Sequence, residues 1–177
     1  TTALAIASCA GDTPPFVATL ELFGTLDSNT CGVGGFDADE SFDETANLYG
    51  YAGDDAAFRW TDASDLLDGS STEKGVYSFT TTATTVAITD ATGATICSIE
   101  RRTKLTLTVT PAPSAPVDAG TGDAGVTEAT VYEVEGTLTE DLYSSSGSNC
   151  SALRGENGGA FDTFPCRVSY DVVGTSE

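Results

Sequence analysis

The sequence predicts an all-β fold: an antiparallel meander forming a sandwich or barrel, disulfide-braced, with an extended N-terminal arm. Three observations carry this prediction. Threonine, a strand former, occurs 28 times and clusters in alternating runs. Short alternating segments recur at even spacing, with turn-like sequences between them. Five cysteines stand in 177 residues without any CxxC spacing. That pattern favours disulfides in an oxidising compartment over a metal ribbon or a redox dithiol.

Residues 1–12, TTALAIASCAGD, form the arm. Extended, residues 1–8 reach about 26 Å, with Leu4 and Ile6 on one face and alanines on the other. Leu4 and Ile6 are therefore the expected docking residues. The arm is a first strand of its own domain, a strand added to a neighbouring subunit, or a signal remnant.

Residues 17–26 follow as a strand, with Leu20, Leu22 and Leu26 on one face. Segments 47–52 and 57–61 are two more, with Tyr49, Tyr51, Phe58 and Trp60 as core candidates. Residues 62–74, DASDLLDGSSTEK, are expected to be a loop or one helical turn. Segments 76–81, 85–90, 94–99 and 103–110 read as a meander of four short strands. Arg101 and Arg102 fall in the last of its turns. A Pro/Ala/Gly/Asp linker covers 111–128, and 130–139 and 167–173 are strands beyond it. The expected organisation is an arm (1–12), a main β-domain (13–110), the linker (111–128) and a small β-unit (129–177) packing on the first.

The small unit reads as a degenerate repeat of the main one. Residues 21–27, ELFGTLD, match 133–139, EVEGTLT. Cys31 parallels Cys150, and Cys97 parallels Cys166. A repeat predicts one bridge inside each unit, Cys31–Cys97 and Cys150–Cys166.

Cys9 stands apart from these four. The segment Ile6-Ala7-Ser8-Cys9, preceded by Ala3, Leu4 and Ala5, resembles a lipobox. Together with the 111–128 tract it is similar to bacterial secreted surface lipoproteins, without pointing to a specific family. The resemblance implies an acylated Cys9; an intermolecular bridge is the other use of that thiol.

Composition excludes several functions. With 27 Asp and Glu against 7 Lys and Arg, the formal charge is −20, which repels nucleic acid and anionic lipid. The chain contains no His, so it has no histidine triad and no histidine-ligated metal. No apolar run is long enough to span a bilayer as a helix; a lipid anchor is the expected form of any membrane attachment. Asp37, Asp39 and Asp43 alternate in DADESFDE and suit Ca²⁺, with a solvated acidic loop as the competing reading. No other cofactor is expected. The aromatics Tyr49, Tyr51, Phe58, Trp60, Tyr77 and Phe79 fit core packing better than a small pocket.

No catalytic constellation is legible, so no enzyme is expected. The sequence points to a non-enzymatic extracellular or outer-surface structural subunit, assembling with itself or other envelope proteins through its N-terminal strand. The alternative is a lipid-anchored surface binding module with Cys9 acylated.

Overall fold

Residues alternating between apolar and polar make strands with one face to bury, and a run of such strands buries it by closing on itself. The computed structural model describes residues 16–32, 38–50, 55–61, 67–73, 75–81, 83–89, 92–112 and 131–176. Leu4, Ile6, Cys9, Asp37, Tyr51 and nearly all of the linker lie outside the described residues.

Nine strands are described: β1 (Phe16–Asn29), β2 (Ser41–Gly50), β3 (Asp55–Trp60), β4 (Leu67–Glu73), β5 (Val76–Thr80), β6 (Thr84–Thr89), β7 (Thr95–Pro111), β8 (Tyr132–Ser144) and β9 (Cys166–Ser176). The hydrogen-bonded order is β5-β4-β3-β2-β1-β9-β8-β7-β6, and β5 also pairs with β7. That last pairing closes eight strands into an up-and-down antiparallel barrel and leaves β6 as an extra strand. β7 serves both: its stretch from Thr95 to Arg101 pairs with β6, and Lys104 to Thr108 pairs with β5.

The inward parity is apolar on every long strand. Leu20 and Leu22 of β1, Leu48 of β2, Phe58 of β3, Phe79 of β5, Leu105 and Leu107 of β7, Val134 of β8, and Val168 and Val172 of β9 are fully buried. Outward positions carry Glu21, Thr25, Glu133, Glu135, Thr137 and Asp171, all exposed. Exposed apolar side chains, Phe23 of β1 and Val173 of β9 among them, share that outer face. Among the described residues no helix is long and apolar enough to cross a membrane.

Four expectations change. Residues 67–73, expected in a loop or helical turn, form β4. Its Gly69 sits opposite Phe79, whose ring occupies the space where a Cβ would stand, so the polar sequence pairs by accommodating its neighbour's aromatic ring. Segments 94–99 and 103–110 are one strand: Arg101 and Arg102 lie mid-strand in β7, because β8 pairs with it without a break from Ile99 to Pro111. The described part of the expected small unit, residues 131–176, shares one sheet with the other strands, β9 lying between β1 and β8.

The fourth is the disulfide pairing. The bridges are Cys31–Cys166 and Cys97–Cys150. Barrel closure decides this. Thr30 N–H donates to the Arg167 carbonyl at 2.9 Å, which places the end of β1 beside the start of β9. Ser98 N–H donates to Ser148 Oγ at 2.8 Å, which places the start of β7 beside the segment after β8. Two bridges fit an oxidising compartment.

Candidate functional site

The bridges and the longest described connection gather at one end of the barrel, where β1 and β8 finish and β2 and β9 begin. The 145–165 connection docks there: Asp162 N–H donates to the Cys31 carbonyl at 2.9 Å and Thr163 Oγ1 to the Thr30 carbonyl at 2.6 Å. Leu153, Phe161 and Phe164 of this connection are buried with Leu142, Ile99 and both bridges.

The strands at this end of the barrel also wall an open pocket. A cavity of about 410 Å³ opens there, within the range of small-molecule sites. Its apolar lining is Phe42, Trp60, Leu67 and Leu138; its polar lining is Glu44, Thr81, Thr103 and Glu140. These residues come from β2, β3, β4, the end of β5, β7 and β8, so the site exists only because the barrel closes. An eight-stranded barrel is just wide enough to be filled by side chains or to hold one small ligand.

Each wall has a local cause. Phe42 lies opposite Gly24 of β1, and a Cβ on Gly24 would overlap the Phe42 ring. Glycine there lets the ring lie flat across its neighbouring strand. Phe42 then stands edge-on to Trp60 (centroids 6.1 Å apart) and to Tyr170 (5.4 Å). Phe58 supports Trp60 from below, 4.8 Å away and edge-on.

Three charged residues occupy core-parity positions at this end: Glu44 on β2, Arg101 on β7 and Glu140 on β8. Arg101 Nη2 donates to Glu140 Oε1 at 2.5 Å. Arg101 is 45% exposed and Glu140 only 13%, so the guanidinium reaches the rim while the carboxylate sits inside. Glu140 Oε2 is buried and receives no hydrogen bond among the described residues. Tyr170, buried beside them, has its phenol held above the usual value of 10.0. Burial is the largest cause, followed by the negative charges of Glu140 and Asp39; Arg101 pulls the other way.

The residues singled out from sequence fall elsewhere. Cys31, Cys97, Cys150 and Cys166 brace the crown. Asp39 is exposed before β2, and Asp43 is exposed on β2 opposite Phe23, facing outward. No three metal-ligating side chains converge among the described residues. Of the aromatics, Phe58 and Phe79 are core as expected, and Tyr49 packs on Phe16 and Arg59 on the outer wall. Trp60 lines the cavity instead. Glu44 and Glu140 are not among the sequence-predicted site residues, although a carboxylate at the inward parity of an otherwise apolar strand is a legible signal. No family model matches the chain, and neither the curated proteins nor the solved structures contain a match.

Proposed function

We propose that this protein is a non-enzymatic binding module for a small, largely apolar molecule, working outside the cytoplasm on the cell surface or beyond it. The single observation that carries this reading is the cavity at the disulfide-braced end of the barrel, walled by Phe42, Trp60, Leu67 and Leu138 with a few inward polar groups. Few convergent polar groups in an apolar concavity are the usual composition of a ligand site. The two disulfides support the compartment. A lipid on Cys9 is the proposed means of surface attachment.

The test is a titration with N-phenyl-1-naphthylamine, a neutral apolar fluorophore. Saturable binding that disappears in Thr103→Trp is the expected result. The Thr103 backbone bonds to Thr81 survive that substitution, while the indole fills the cavity. A probe that ignores the cavity-filling variant, or does not bind at all, removes the proposal.

One observation favours a second reading, assembly through the N-terminal strand. β6, with the sequence TTVAIT, ends the sheet and has no strand on its outer edge among the described residues. Uncharged open edges accept added strands. Removing residues 1–8 then converts an assembled protein into monomers, as read by light scattering; unchanged assembly counts against it.

A further inference from the structure

We infer that the outer face of β1 and β9 is a docking surface for an extended protein segment that presents an apolar side chain between two cations, in the pattern Arg-x-apolar-x-Arg. This surface is separate from the cavity and gives the barrel a second, protein-binding site.

Phe23 and Val173 stand directly opposite each other on β1 and β9, 46% and 52% exposed. Of the seven large apolar side chains exposed among the described residues, only these two are cross-strand partners. Their row meets a carboxylate on either side: Asp43 lies opposite Phe23 on β2, and Glu135 opposite Val173 on β8. The next outward row one way adds Glu21 and Glu133, and the next row the other way adds Asp171. All of these carboxylates are exposed, and no described lysine or arginine stands in the three rows. An apolar pair is thus ringed by negative charge. A shallow depression of about 360 Å³ adjoins it, bordered by Phe23, Val173, Glu21, Thr175 and Asp43.

The ring selects the partner's charge. Two copies facing each other here would oppose carboxylate to carboxylate, whereas an arginine lays its stem along apolar surface and forks onto a carboxylate. The −20 charge of the chain draws any cation from a distance; the apolar pair gives this face its selectivity. The spacing selects the partner's shape. Asp43 and Glu135 stand three strand spacings apart, about 14 Å, and residues i and i+4 of an extended chain are about 13 Å apart. Residues i, i+2 and i+4 share one side of such a chain. A segment crossing the strands therefore sets a cation at each carboxylate and its middle side chain over Phe23 and Val173.

Three capped pentapeptides separate the parts: Arg-Ser-Leu-Ser-Arg, Arg-Ser-Ser-Ser-Arg and Glu-Ser-Leu-Ser-Glu, each titrated into the full chain and followed by two-dimensional NMR. The first is expected to bind about fivefold or more tightly than the second. Its shifts should centre on Phe23, Val173 and Glu135, and the third peptide should not bind. Phe23→Ser should abolish the preference for leucine, with a cooperative thermal melt showing that the variant folds. The comparison of peptides on the unaltered chain stands by itself if it does not. Asp43→Asn with Glu135→Gln should weaken the first peptide about fivefold. Asp68→Asn with Glu156→Gln removes the same charge elsewhere and should weaken it much less. Equal binding of the leucine and serine peptides, binding of the glutamate peptide, or equal losses in the two double variants overturns the inference. So does the absence of binding by all three peptides, whereas the naphthylamine titration bears on the cavity alone.

Discussion

Leu22 of β1 and Val134 of β8 occupy the same row of the barrel, one on each side of Gly174 in β9. The neighbouring rows follow suit: Glu21 and Glu133 flank Thr175, and Leu26 and Leu138 flank Tyr170. The two segments that resemble each other in sequence therefore embrace one strand in identical register. Gly174 is small because the β1 backbone comes close; a Cβ there would strike the Glu21 carbonyl and the Leu22 side chain. Gly174→Ala should cost about 1–3 kcal/mol, since backbone cannot yield as a flexible side chain does. Urea denaturation with an unchanged m-value checks this, and a variant as stable as the parent contradicts the close packing.

The bridges should contribute unequally. Cys31–Cys166 spans 135 residues and Cys97–Cys150 spans 53. The chain-entropy relation gives about 5 and about 4 kcal/mol for loops of these lengths. Replacing Cys31 and Cys166 by alanine should thus lower stability somewhat more than replacing the other pair. Peptide mapping of unreduced protein should recover the 31–166 and 97–150 links; a 31–97 link would refute the barrel closure itself.

Gly24→Ala should injure binding more than its modest size suggests. The added methyl displaces the Phe42 ring, and with it the wall shared by Trp60 and Tyr170. Expected are a stability loss of about 1–3 kcal/mol and a weakened naphthylamine titration. Fluorescence and thermal melting on the same samples separate the two, and unaltered binding would place the ligand elsewhere.

The sequence revealed parity well and closure poorly. Leu20, Leu22 and Leu26 fall on one face by alternation, a local property, and that face points inward. Arg101 and Arg102 misled for the same local reason: two adjacent arginines look like a turn, and only pairing with distant β8 shows them to be mid-strand. The repeat was visible in ELFGTLD and EVEGTLT, but its meaning was not. Barrel closure joins Cys31 to Cys166 and Cys97 to Cys150, whereas two stacked units would have joined Cys31 to Cys97 and Cys150 to Cys166. The place of Glu140 beside the cavity is not legible locally, because it depends on six strands meeting there. Its sequence signal was a carboxylate between Leu138 and Leu142 at the same parity.

Alkaline pH should weaken the fold through Tyr170. Its phenol is harder to ionise in the folded state than in the unfolded chain, burial being the main cause. The folded state therefore holds that proton more tightly. Its stabilising effect is complete below the unfolded value of 10.0 and is lost as pH rises through the higher folded value. Urea midpoints followed upward through pH 10 should fall less steeply in Tyr170→Phe than in the parent. Parallel slopes would contradict burial of the phenol.

Amide and indole shift mapping by two-dimensional NMR, with N-phenyl-1-naphthylamine added stepwise, reaches the cavity itself. Shifts should concentrate at the Trp60 indole and at Thr81, Thr103, Leu138 and Glu140, and should leave Leu22 and Val134 at rest. Shifts centred instead on the outer-wall residues Phe23 and Val173, or spread evenly over the barrel, would show that the interior is not where this protein takes its ligand.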